Sequence, residues 1–70
     1  MIPSRCSVRI NGEQREVQAT SVAGVVEELG LPASTLLIEY NGQALQRSEW
    51  IDQMIRDGDT FEILRVAAGG

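Results

Sequence analysis

Two Asn-Gly dipeptides, Asn11-Gly12 and Asn41-Gly42, fix most of what this chain can fold into. Asn-Gly is the strongest short-range signal for a two-residue hairpin. Both central positions of a type I′ turn need positive φ, which asparagine tolerates and glycine adopts freely. Before the first dipeptide, Cys6, Val8 and Ile10 alternate with Ser7 and Arg9, the period of a strand with one buried face. Glu13 to Gln18 should run back as a second strand, with Val17 on the core side. Leu36 to Tyr40 leads into the second dipeptide. Leu36 and Ile38 are expected to face the core and Glu39 to face solvent, and a short strand follows around Gln43 to Leu45.

Between the two hairpins lies a helix. Ser21 is placed to cap it, and Val22, Val25, Val26 and Leu29 make one apolar stripe at helical spacing. Glu27 and Glu28 face water, Gly30 suits the position after the last turn, and Pro32 prevents continuation. Gly24 and three valines lower the intrinsic helix propensity, so this helix must rely on packing against a sheet. Arg47 to Ile51 reads as a helical turn begun by Ser48, with Trp50, Ile51, Met54 and Ile55 closing the open end of the core. Asp57-Gly58-Asp59 is a turn and Thr60 to Val66 the final strand, Phe61 and Ile63 pointing one way and Leu64 and Val66 the other. The order implies an α+β domain. One helix covers one face of such a sheet, which leaves Leu64 and Val66 on the uncovered face.

A chain of 70 residues makes one domain with a thin core and has no room for a deep substrate cavity beside it. Net charge is −4, all six cations are arginine, and histidine and lysine are absent. A basic face for nucleic acid is not indicated. The acidity suits a basic partner surface and also favours solubility. The single Cys6 allows no internal disulfide and no multi-cysteine metal site. In phase with Val8 and Ile10, it is expected to be a core residue rather than a reactive thiol. A lone thiol, no apolar run of membrane-spanning length and no signal-peptide pattern together lead us to expect a soluble, cytoplasmic protein.

The final strand runs into Val66-Ala67-Ala68-Gly69-Gly70. Residues 1–66 are expected to form the domain and 67–70 a flexible tail. Fully extended, these last five residues span about 16–18 Å, enough to carry a carboxylate into another protein's pocket. Frayed ends can look the same, since termini are disordered by default.

In this order of elements ending in Gly-Gly, the chain resembles the ubiquitin-like β-grasp fold, and within it the ThiS family, the sulfur carrier proteins of thiamine biosynthesis. The residues that carry the resemblance are Ile10-Asn11-Gly12-Glu13, Tyr40-Asn41-Gly42, Arg47-Ser48-Glu49-Trp50, Asp57-Gly58-Asp59 and Gly69-Gly70. The resemblance implies a mixed sheet of four to five strands, the first and last parallel and adjacent, with one main helix on one face. It implies a carrier rather than an enzyme. An adenylating, ubiquitin-activating-like partner uses ATP and magnesium to convert the Gly70 carboxylate into an acyl-adenylate. A persulfide sulfur donor then displaces AMP to leave a thiocarboxylate, and thiazole synthase consumes the sulfur. Gly69, Ala68 and Ala67 would thread the narrow active sites, and Leu64, Arg65 and Val66 would form the docking surface beside the tail. The carrier itself would hold no cofactor and no metal, meet neither nucleic acid nor membrane, and act as a monomer.

Three alternatives share parts of this pattern. One is a molybdopterin-synthase-type small subunit or another sulfur carrier; another is a ubiquitin-like protein modifier; a third is an interaction module whose Gly-Gly is incidental. Trp50 reads as a core plug, Asp57 and Asp59 as turn formers rather than metal ligands, Glu27 and Glu28 as a solvated helix face, and Arg47 and Glu49 as local supports.

Overall fold

The computed structural model describes residues 5–66. Five strands and one helix succeed one another as β1 (Cys6–Ile10), β2 (Glu13–Val17), α1 (Val22–Glu28), β3 (Leu36–Tyr40), β4 (Gln43–Leu45) and β5 (Thr60–Arg65). Short 3₁₀ turns span Ala33–Thr35 and Arg47–Glu49. The sheet order is β2-β1-β5-β3-β4. β1 and β5 run parallel through the register pairs Arg9↔Thr60 and Ile10↔Phe61, and every other pairing is antiparallel. This is the mixed β-grasp sheet that the resemblance implies, with the first and last strands side by side at its centre.

Both Asn-Gly turns form as the dipeptides predict. Asn11 and Gly12 have φ of 51° and 86°, and Asn41 and Gly42 have φ of 50° and 85°. The cross-strand pairs Ile10↔Glu13 and Tyr40↔Gln43 close directly over them.

The helix begins where Ser21 Oγ accepts the Gly24 N–H at 3.1 Å. It ends in a Schellman motif, in which Gly30 N–H donates to the Glu27 carbonyl at 3.0 Å and Leu31 N–H to the Val26 carbonyl at 3.2 Å. Gly24 sits where a Cβ would lie 3.0 Å from the Ala19 Cβ, so the approach of the β2–α1 connection explains the glycine that propensity alone disfavours. Glu28 is exposed as expected, yet its carboxylate accepts the Gln18 N–H at 3.0 Å and the Ala19 N–H at 2.9 Å. It satisfies two backbone donors that the connection leaves free.

The core forms where the stripe of α1 meets one face of the sheet. Val22, Val25 and Val26 pack over Val8, Ile10, Val17, Leu36, Ile38, Phe61 and Ile63, with Trp50 and Ile55 from the β4–β5 connection at one end. Trp50 is the core plug that its sequence position suggests, and its indole N–H donates to the Leu45 carbonyl at 3.3 Å. Removing the Phe61 side chain would cost about 3–5 kcal/mol, a large part of the total stability of so small a domain.

Three expectations need correction. Ile51 and Met54 do not close the core: both are exposed. The β4–β5 connection is tied to the start of α1 by Val22 N–H to the Gln53 carbonyl, Ala23 N–H to the Trp50 carbonyl and Ile55 N–H to the Thr20 carbonyl. Those bonds turn Trp50 and Ile55 inward and leave Ile51 and Met54 outside. The turn near Arg47 is capped by Gln46, not begun by Ser48; Gln46 N–H donates to Glu49 Oε1 at 2.8 Å in a reciprocal capping box. Cys6 is half-buried rather than fully inside, because it opens β1 at the margin of the core opposite Val17.

Candidate functional site

The site of interest is the end of β5, where the chain passes from the sheet toward its last four residues. Ala67, Ala68, Gly69 and Gly70 themselves lie outside the described residues. The strand that precedes them is firmly held on the β3 side. Leu36↔Arg65 is the last register pair, and Val66 N–H donates to the Thr35 carbonyl at 2.7 Å.

Alternation along β5 sorts its side chains. Phe61 and Ile63 are buried under α1. Leu64 is 59 % exposed and Val66 40 % exposed, on the face that α1 does not cover. Leu37 stands directly opposite Leu64 in the register and is 57 % exposed. Leu37, Leu64 and Val66 therefore make an apolar group on the open face at the root of the tail. Leu37 is absent from the docking residues expected from the sequence. The signal was available, since Leu36 and Ile38 on the core side place Leu37 on the other. Next along the same face, Glu39 stands opposite Glu62, and both are exposed.

Arg65 goes elsewhere. It shares its side of β5 with buried Ile63 and lines an open groove of about 380 Å³ with Arg15, Glu13, Leu29, Leu31 and Leu36. The three residues named together as a docking surface thus divide, Leu64 and Val66 on the open face and Arg65 on the face toward α1.

At the opposite end of β5, Asp59 is buried and fully engaged. Its carboxylate accepts from the Tyr40 hydroxyl at 2.5 Å, the Arg56 N–H at 2.8 Å and the Asn41 amide at 3.2 Å. Burial works to raise its pKa. The bonds from Tyr40, Arg56 and Asn41, with the Arg56 charge, outweigh burial and hold the carboxyl below its usual value. Burial also pushes Tyr40 up, and the bond to Asp59 and its negative charge push it further, to about 12. Asp57 is occupied with the backbone as well, accepting the Ser7 N–H at 2.7 Å. Among the described residues no three His, Cys, Asp or Glu side chains gather as a metal site would require. Among them, too, no helix is long and apolar enough to cross a membrane.

Comparison with known proteins fits this architecture. The family model described as ThiS family matches residues 8–70. The chain is 32 % identical over 63 residues to the sulfur carrier protein ThiS of Thermus thermophilus, covering 90 % of this chain and 98 % of that one. It is also 32 % identical over 62 residues to a thiazole synthase of Paramagnetospirillum magneticum, covering 87 % of this chain but 19 % of that longer protein. Among solved structures it is similar to the crystal structure of the thiamine biosynthesis protein ThiS of Geobacter metallireducens, with a TM-score of 0.76 and 29 % identity, covering 91 % and 99 % of the two chains. A match that begins in β1 and runs through Gly70 spans nearly the whole sequence, and on it the chain belongs to the ThiS family.

Proposed function

We propose that this protein is the sulfur carrier for thiazole formation in thiamine biosynthesis, with Gly70 as the residue that is chemically transformed. The observation that carries this reading is the family match that begins within β1 and runs on through the Gly-Gly end. The chemistry is that of an acyl group made reactive in two steps. A carboxylate oxygen of Gly70 attacks the α-phosphorus of ATP and expels pyrophosphate, giving a mixed anhydride whose leaving group is AMP. The terminal sulfur of a persulfide displaces AMP, and a thiol then cleaves the resulting acyl disulfide, leaving the thiocarboxylate.

The adenylating partner supplies ATP, magnesium and the acid–base groups; the carrier supplies the acyl group and a surface to hold. Gly69, Ala68 and Ala67 are slim enough to pass through a narrow channel. Leu64 and Val66, joined by Leu37, form the docking face for that enzyme. Their exposure beside the tail's root supports the role. Arg65 faces the other side, so a partner that engages it as well must wrap the end of β5. The consumer of the sulfur is thiazole synthase. A thiazole synthase containing a stretch similar to this chain supports that pairing.

The test is the intact mass of the protein after incubation with ATP, magnesium, a persulfide donor and the adenylating enzyme. Replacement of one oxygen by one sulfur, located on the Gly70 peptide, supports the reading. An unchanged terminus, with the enzyme active on another carrier, contradicts it.

A further inference from the structure

β5 carries the tail, and its backbone is gripped at two points by the two turn asparagines. On the β1 side, register pairing stops at Ile10↔Phe61. Asn11 continues the ladder beyond it. Its N–H donates to the Phe61 carbonyl at 2.9 Å. Its Oδ1 accepts the Ile63 N–H at 2.7 Å, and its Nδ2 donates to the Ile63 carbonyl at 3.0 Å. One side-chain amide thus serves both backbone groups of Ile63, which a longer β1 would have bonded through two residues.

Asn41 does the equivalent from the β3 side at the start of the strand. Its N–H donates to the Thr60 carbonyl at 2.9 Å, and its Oδ1 accepts the Thr60 N–H at 2.8 Å. Its Nδ2 also donates to Asp59 at 3.2 Å.

The two clamps differ in where they act. Thr60 opens β5, whereas Ile63 is followed within three positions by Val66 at the root of the tail. Between Ile63 and that root, the remaining backbone anchorage among the described residues comes from β3 and Thr35. A strand end held from one side alone can swing about that side. The Asn11 amide supplies the opposing hold nearest the root.

We propose that Asn11 is a positioning residue for sulfur loading, setting the direction from which the tail enters the activating enzyme. The inference rests on the carrier reading above. A tail of four residues reaches at most about 14 Å, so it cannot absorb a large error at its root. Misplacing a reacting group by about 1 Å can cost about 100-fold in rate. The open face around Leu37 and Leu64 is set by the β3–β5 pairing, whereas the Asn11 amide bonds only the backbone groups of Ile63 that face β1, so docking affinity and loading rate separate.

The experiment compares Asn11→Gly with Asn41→Gly in the adenylation and sulfur-loading reaction, below the melting temperature of both. Glycine keeps each turn free of backbone strain and removes only the side-chain amide. For Asn11→Gly the loading rate at saturating carrier should fall about 10-fold while KM stays within about twofold, and the Ile63 amide should exchange faster with solvent. Asn41→Gly, which also loses bonds to β5, should load at the wild-type rate. Asn11→Asp keeps the acceptor for the Ile63 N–H and should recover part of the loss. Normal loading by Asn11→Gly despite a freely exchanging Ile63 amide overturns the proposal. Equal losses in the two glycine variants also overturn it, because both asparagines would then be merely structural. A wild-type chain that gains no sulfur in the same reaction overturns the carrier reading, and this inference with it.

Discussion

Leu37 and Leu64 face each other across β3 and β5 on the side of the sheet away from α1, and more than half of each side chain is open to water. Fully burying a leucine stabilises by about 1.5–3 kcal/mol, so two of them side by side at the root of the tail contribute little to folding and much to a partner that covers them. Leu64→Ser and Leu37→Ser should each change stability by no more than about 0.5 kcal/mol. Each should raise the KM for the adenylating enzyme about 10-fold or more. Thermal melts paired with loading titrations measure both quantities; an unchanged KM removes these leucines from the docking face.

Glu39 and Glu62 form the neighbouring cross-strand pair on the same face. Like charges directly opposite each other destabilise a sheet by a few tenths of a kcal/mol, and salt screens them when they are exposed. Glu62→Gln should therefore raise the melting temperature slightly at low ionic strength, and the gain should shrink in high salt. A gain that persists in high salt would point to packing rather than charge.

The Tyr40–Asp59 contact makes stability depend on pH at both extremes. Tyr40 binds its proton more tightly folded than unfolded, its pKa lying at about 12 against an ordinary 10.0. Its contribution is complete below pH 10 and is lost as pH rises through 12. Asp59, held below its ordinary 3.8, contributes above that value, and its contribution is lost as pH falls through the lowered one. Tyr40 is the only tyrosine, so the phenolate absorbance band reports it directly. Asp59→Asn should move the Tyr40 transition part of the way back toward 10 while burial keeps it above that value. It should also weaken the acid-side dependence. A Tyr40 that titrates at its ordinary pKa in the wild type would contradict the contact.

Cys6 lies at the wrong end of the molecule to handle the sulfur within one chain. β1 and β5 are parallel, and Arg9 is level with Thr60. Cys6 and Val66 are then separated by about nine strand positions, about 30 Å. The tail reaches less than half of that. Cys6→Ser should load sulfur on Gly70 at the wild-type rate, and its cost in stability should be small for a half-buried site. Loss of loading with the fold intact would assign Cys6 a chemical role.

Much of this was legible in the residues, for physical reasons that differ from element to element. The two Asn-Gly dipeptides announce their turns because only residues at ease with positive φ can occupy them. Cys6–Ile10 and Leu36–Tyr40 show the period of two, and Val22, Val25 and Val26 the helical stripe. Alternation also placed Leu64 and Val66 on the open face. Strand adjacency is not encoded in any period, so the parallel β1–β5 contact came from family resemblance alone. The β4–β5 connection has no period either, and backbone bonds to the start of α1 decide that Trp50 and Ile55 turn in while Ile51 and Met54 turn out. In the sequence Asn11 and Asn41 have the pattern of turn formers and Glu28 that of a solvated charge. Their bonds to backbone groups far along the chain need the folded structure to be seen.

Whether Gly70 accepts sulfur is read from the mass of the C-terminal peptide after reaction with ATP, magnesium, a persulfide donor and the adenylating enzyme. One oxygen should be exchanged for one sulfur on Gly70, and the sulfur should then pass on when thiazole synthase and its substrates are added. A terminus that stays unchanged while the same enzyme loads another carrier would contradict the carrier reading.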